Sequence, residues 1–272
     1  MKPRIGIIPG DPSGIGPELI AKLLSDEGVK EQADILLIGD THLLEMGQSQ
    51  ADAAFSLTPC DARTSDWVDL PSFAHHVQNT IEPDDVINAT VTIESGKSAL
   101  ANLNTALELA RDGIIDAITF APFNKAALIE AGLGHEDELH YIAEFLGVEN
   151  YVSELNTLDG VWTSRVSSHI SLKEVPDYIT KERINEAVDL IDRTLKRSGL
   201  ARPRLSVAAL NPHAGDNGNF GTEEIDVIAP AVQALQAQQV NLDGPWPSDT
   251  VFLKAKAKEV DGIITMYHDQ GQ

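Results

Sequence analysis

Six short strand-like runs recur along the chain: Ile5–Ile8, Ile35–Ile38, Ile114–Phe120, Val161–Val166, Leu205–Leu210 and Gly262–Met266. Each is followed within three residues by Gly, Pro, Asn or His, the punctuation expected of buried strands. Segments of helical period lie between them. Leu100, Leu103, Leu107 and Ala110 share one face, as do Ile184, Val188, Ile191 and Leu195, whose helix ends near Gly199. Thr222 reads as an N-cap, with Glu223 and Glu224 in the first turn and Ile225, Ile228, Val232 and Leu235 on one face. This alternation predicts an α/β fold, a mostly parallel sheet with helices packed on it. Residues 52–95, broken by Pro59, Pro71 and Pro83, read as an antiparallel excursion. No Gly-, Ser- or Pro-rich linker cuts the chain. Residues 1–272 are therefore expected to form one continuous unit, any second domain being interlocked through discontinuous segments.

Composition excludes partners better than it names them. The 42 Asp and Glu against 20 Lys and Arg give a formal net charge of −22, which repels phosphate backbones and anionic lipid. Nucleic-acid and membrane-surface roles are disfavoured, and the acidity itself reads as a solubility feature. Cys60, the single cysteine, forms no internal disulfide and fits a reducing compartment. No run approaches the ~18 apolar residues of a membrane span, and the N-terminal run is too short for a signal sequence. A cytoplasmic protein is expected.

In open α/β sheets, ligands gather outside the carboxyl ends of the strands. Three of the runs deliver a histidine there: Ser167-Ser168-His169, Asn211-Pro212-His213 and Tyr267-His268-Asp269. Imidazole is the commonest ligand for first-row divalent metals, and three of them leave positions open for substrate. Any one of these histidines alone is more often an ordinary hydrogen-bonded loop residue. Three of eight placed alike raise the metal reading, although no short ligand motif is present. His42, His75, His76 and His140 lack this context and read as surface or structural residues. The turn PGDPSGIGPEL, Pro9 to Leu19, is a tight strand-to-helix connection, neither G-x-G-x-x-G nor a P-loop, and presents Asp11 and Glu18. Further along, Lys125 follows a strand, and His135-Glu136-Asp137-Glu138 opens a helix whose acidic residues suit capping. Lys125 and His135 are alternatively placed to meet an anionic substrate.

Taken together, GDPSGIGPE, NPHAGDNGNFGTEEID and MYHDQGQ resemble the 4-hydroxythreonine-4-phosphate dehydrogenase family, with GPWPSDTVF and GHEDE as further segments in the same order. The resemblance runs over essentially the whole chain. It implies a three-layer α/β/α, two-domain fold like that of isocitrate and isopropylmalate dehydrogenases rather than a Rossmann domain. It also implies a homodimer with its active site at the subunit interface, and a divalent metal (Zn, Mg, Mn or Co) held by His169, His213 and His268. In the family these ligands are shared between subunits, so the three need not converge within one chain. The implied reaction is oxidation of a 4-phosphorylated four-carbon hydroxy acid by NAD or NADP, followed by decarboxylation. Asp249, Asp269 and Lys125 are the acid/base candidates by position, and His135 with Glu136 the substrate-binding ones.

Two departures from the family pattern matter. Glu136 stands where the vitamin B6 (pyridoxine) biosynthetic enzymes have threonine, so the chain looks more like the paralogous branch acting on 4-phosphorylated threonate or erythronate. Family members also continue for several dozen residues past H-D-Q-G, with a lysine, an asparagine and an arginine that bind substrate phosphate. On that comparison the chain is expected to be a truncated form, inactive as it stands. The alternatives are a dehydrogenase of a non-phosphorylated diol carboxylate and a non-catalytic relative.

Overall fold

The computed structural model describes residues 2–64, 70–135 and 137–271. The chain divides into two compact units, each contiguous in sequence: Met1–Glu149 and Asn150–Gln272. Each carries its own five-stranded sheet, so each was completed by local crossovers instead of by exchange of distant segments.

In the first unit, β1 (Arg4–Ile8) leads through α1 (Gly16–Ser25) and α2 (Glu27–Gln32) to β2 (Asp34–Asp40), then α3 (Thr41–Ala51), β3 (Thr58–Cys60) and β4 (Phe73–Gln78). α4 (Ile93–Arg111), β5 (Ala117–Phe120), α5 (Lys125–Glu130) and α6 (Glu138–Phe145) complete it. All neighbours in the order β3-β4-β2-β1-β5 are parallel, which is not the Rossmann order. Side-chain alternation explains why helices cover both faces. Ile7, Ile35 and Leu37 pack with Ile20 and Leu24 of α1, while Ile8, Leu36 and Ile38 pack with Leu103, Ala106 and Leu107 of α4.

The second unit runs β6 (Asn156–Leu158), β7 (Val161–Arg165), α7 (Val175–Tyr178), α8 (Lys181–Arg197), β8 (Leu205–Ala208), α9 (Ala229–Ala237), β9 (Leu242–Trp246), α10 (Ser248–Lys256), β10 (Gly262–Thr265) and α11 (His268–Gly271). Its sheet order is β6-β7-β10-β8-β9, parallel except for the β6–β7 hairpin. Leu205, Val207 and Ile264 face α8 and α9, where Ile184, Val188, Ile191 and Leu195 are buried as their period predicts. Ala208 and Ile263 face Val251 of α10. Thr180 caps α8 by accepting from the Arg183 amide.

The two units share one device. Asp116, just before β5, accepts from the Arg4 amide and from Nε and Nη2 of Arg4 on β1. Asp261, just before β10, accepts in the same three ways from Arg204, which precedes β8. In both cases a carboxylate pins the starts of two adjacent parallel strands, and the hydrogen bonds from Arg4 bring the Asp116 carboxyl down to about 2.

Several expectations are corrected. Residues 52–95 do not form an antiparallel excursion: β3 and β4 extend the parallel sheet. Proline is tolerated there because Pro59 lies in the edge strand and Pro83 opens a short 3-10 turn outside the sheet. Only Ala117–Phe120 of the third run is strand, Ile114 and Ile115 packing beside α4 instead. β9 escaped notice because Gly244 and Pro245 interrupt its apolar pattern. Thr222 makes no side-chain cap, and Ile225 is exposed while Ile228, Val232 and Leu235 are buried.

His75 and His76 are structural residues of the first sheet. Both lie buried in β4, His75 Nε2 against the Gly39 carbonyl and His76 Nδ1 accepting from the Ala62 amide. Burial pushes both imidazoles below their ordinary value, outweighing the nearby carboxylates. Protons therefore bind more readily to the unfolded chain, so the stability contributed is full above the ordinary histidine pKa of about 6.5 and declines as pH falls below it. Thermal unfolding of the first unit is expected at lower temperature at about pH 5.5 than at about pH 7.5, the slope flattening in a His75→Gln, His76→Gln double variant. Equal slopes in the two proteins would refute this assignment.

Candidate active site

The carboxyl ends of β7, β10 and β8 lie side by side, with β10 in the middle. Register places Thr265 opposite Arg165, and the pairing runs on past the strands: the Val166 amide donates to the Thr265 carbonyl, and the Ser167 amide and hydroxyl both donate to the Met266 carbonyl. The turns that follow are thereby held together. His169 and His268 meet with ring centroids 5.8 Å apart and planes inclined at 41°.

A cleft of about 240 Å³ opens here, lined by Ser168, His169, Ile170, Leu172, Val175, Tyr267, His268 and Asp269. Gln270 ties the turn after β10 to the neighbouring strand, accepting from the Met266 amide through Oε1 and donating through Nε2 to the Ala209 carbonyl just past β8. Asp269 lies 2.7 Å from His268 Nδ1. An ionised carboxylate only accepts, so His268 Nδ1 is the donor in this contact.

Two imidazoles on one tetrahedral ion, with metal–nitrogen distances of about 2.0–2.1 Å, have ring centroids roughly 5 Å apart, so His169 and His268 fit as a ligand pair. Among the described residues, no three His, Cys, Asp or Glu side chains form a group able to hold an ion. His213 follows β8 on the same sheet edge but does not line the cleft; its ring lies 6.3 Å from that of Phe220. Among the described residues His169 and His268 thus meet, while His213 stands apart from them.

The backbone around His213 is unusual. His213, Ala214, Gly215, Asp216 and Asn217 all take positive φ, between 44° and 79°, forming a left-handed turn. Each non-glycine residue held there costs on the order of 1–2 kcal/mol, and such strain concentrates at functional sites. Glu224 lies beneath the turn. Its Oε1 accepts from the amides of Leu210 and Asn211 at 2.8 and 2.7 Å, and its Oε2 from Asn211 Nδ2 at 3.0 Å. Gly215 suits the turn, because at φ 79° a side chain is disfavoured and a Cβ there would stand 2.7 Å from Glu224 Oε2. Glu224 opens a π-helical turn, Glu224–Ile228, that runs into α9.

The remaining predicted residues are distributed as follows. Asp249 is exposed in the first turn of α10, near a network in which Asp243 accepts from Ser206, Trp246 Nε1 and Lys254. Burial acts to raise the Asp243 carboxyl, but these donors together hold it below the ordinary range. In the first unit, Lys125 opens α5, exposed. His135 lies 2.7 Å from Glu144 and stacks edge-on against Tyr141, and Asp137 caps α6 by accepting from the His140 amide, as the capping reading expects. Glu136 lies outside the described residues. Asp11 is turned inward onto the Ser13 amide, and Glu18 pairs with Lys22 on the surface. Sequence reasoning missed Ser167, Gln270 and Glu224. Gln270 had a signal, its place two residues after His268; Glu224 was disguised as ordinary N-terminal helix charge.

The chain is thus of the α/β class, its sheets mostly parallel and without a dinucleotide fingerprint, with His169 and His268 paired at one sheet edge. Residues 31–272 match the family described as Pyridoxal phosphate biosynthetic protein PdxA, and the chain belongs to it. A Pseudomonas aeruginosa protein provisionally named 4-hydroxythreonine-4-phosphate dehydrogenase 2 is 48% identical over 99% of this chain and 81% of its own length. The D-threonate 4-phosphate dehydrogenase of Salmonella typhimurium is 34% identical over 98% of the chain and 81% of its own length. The crystal structure of 4-hydroxythreonine-4-phosphate dehydrogenase from Klebsiella pneumoniae superposes with a TM-score of 0.87 at 32% identity, covering 100% of this chain and 82% of that one. Among the described residues, no helix is long and apolar enough to cross a membrane.

Proposed function

We propose that this protein is an NAD- or NADP-linked dehydrogenase of a 4-phosphorylated four-carbon hydroxy acid, 4-phospho-threonate or 4-phospho-erythronate ahead of 4-phosphohydroxy-L-threonine, and that it decarboxylates the resulting keto acid. The observation that carries the reading is the His169–His268 pair at a sheet edge in a chain of this family. His169 and His268 from one subunit, with His213 from its dimer partner, would hold the divalent ion; the meeting of the His169 and His268 rings supports this reading. When bound, the ion supplies Lewis acidity to substrate oxygens, and the oxidised nicotinamide accepts hydride.

The chain's own residues do the rest. Asp269 keeps the His268 proton on Nδ1 and fixes the ring's orientation. Asp249, exposed at the start of α10, is the candidate to take the hydroxyl proton, and Lys125 to return a proton to carbon after carboxylate leaves. His135 is the candidate contact for the substrate phosphate. Its pairing with Glu144 must give way, or that carboxylate would oppose the anion.

The test is a screen of the full-length protein against 4-phospho-D-threonate, 4-phospho-D-erythronate and 4-phosphohydroxy-L-threonine with each nicotinamide cofactor, reading reduced cofactor and released carbon dioxide. Turnover of the first two is expected. Turnover of the last alone would overturn the choice of branch, and turnover only of a non-phosphorylated diol carboxylate would overturn the substrate class.

A further inference from the structure

The strained turn that carries His213 needs something to hold it. Left-handed backbone relaxes unless its surroundings over-determine it. Here that support converges on one buried side chain. Glu224 is 3% exposed, yet it pairs with no cation among the described residues; its carboxylate is used wholly on the chain entering the turn. Asn211, the residue that enters the turn, is gripped three times: its amide and Nδ2 by Glu224, and Nδ2 again by Glu223 Oε2 at 2.6 Å. The Phe220 amide closes the far side onto the Gly215 carbonyl. The Glu224 carboxylate thus satisfies two backbone donors left behind where β8 ends, the donors that would otherwise draw the chain into another turn.

From this we infer that Glu224 is the positioning residue for His213: it fixes the left-handed turn and thereby the direction in which the imidazole is presented. The inference rests on the reading of His213 as a metal ligand. Glu224 touches neither ion nor substrate in this role. It acts through Asn211 and the turn, as carboxylates that orient ligating histidines do at one remove, and its removal is expected to weaken metal affinity by about 10–100-fold.

The test pairs two measurements on the full chain: amide hydrogen exchange across residues 210–221, and titration with Zn²⁺ or Mn²⁺ alone. Glu224→Ala is expected to speed exchange at residues 210–217 selectively and to weaken metal binding about 10–100-fold. Glu224→Gln is expected to fall between it and the wild type. Its Oε1 still accepts from Leu210 and Asn211, but its amide faces Asn211 Nδ2 donor to donor. His213→Ala is the reference. Unchanged metal affinity in His213→Ala would defeat the ligand reading, while the exchange data would still decide what Glu224 does to the turn. Native exchange and native affinity in Glu224→Ala would overturn the positioning role. So would faster exchange spread evenly over residues 150–271, which marks general destabilisation. Should Glu224→Ala fail to fold, Glu224→Gln decides alone by the same two readouts.

Discussion

Replacing His268 by alanine is expected to weaken divalent-metal binding by at least about 100-fold, more than the 10–100-fold typical of partners one step removed from an ion. The ring is one of the two that meet at 5.8 Å, and without it His169 is left as a single monodentate donor at this cleft. The fold should survive. The bonds that hold the cleft together run from Ser167 to the Met266 carbonyl and from Gln270 to Met266 and Ala209, and none uses the His268 ring. Calorimetric titration with Zn²⁺ or Mn²⁺, beside a circular-dichroism melt, separates the two effects. His140→Ala, whose ring bonds to Asp137 in the other unit, is the matched control and should bind metal as the wild type does. Wild-type affinity in His268→Ala would remove this residue from the site.

Gly16→Ala is expected to destabilise the first unit by about 3 kcal/mol or more, the upper range for forcing extra atoms into a packed interior. A Cβ at this position would stand 1.8 Å from the Pro9 carbonyl oxygen and 3.2 Å from the Ala121 Cβ. The loop from β1 cannot retreat, because the Asp11 amide bonds to the Pro122 carbonyl and the Asp11 carboxylate accepts from Ser13. In a unit of this size the melting temperature should fall by roughly 6–12 °C. Gly14→Ala, two residues earlier, meets only ordinary contacts from Asp11 at 3.5 Å and beyond, and should stay within about 0.5 kcal/mol of the wild type. Similar melting temperatures for the two variants would mean that the loop yields and that Gly16 is not constrained.

Much of the fold was legible because its signals are local. The runs at β1, β2, β8 and β10 are largely apolar on both faces, as strands covered by helices must be, and the period in α4 and α8 follows from one buried face. β3, β4 and β9 escaped because their support is not local. An edge position admits Pro59, and burial among neighbours lets His75 and His76 stand where a strand usually carries Val or Ile. The same division runs through the candidate site. His169, His213 and His268 were identifiable as residues that follow strands. Which of them meet was not identifiable, since that depends on the order β7-β10-β8 and on the lengths of three turns. Glu224 was misread for the same reason: as text it is an acid near a helix start, and only the folded chain turns it inward onto Leu210 and Asn211.

The sequence by itself determined the class of fold, the sheet edge where chemistry gathers and the residue types offered there, because apolar period and strand-end punctuation are properties of neighbouring residues. Tertiary structure alone decided that His169 and His268 form a pair while His213 stands on a separate, strained turn. Register between β7 and β10 brings two loops together across about 100 residues of chain, and the buried carboxylate of Glu224 holds the third in a conformation that its own residues disfavour.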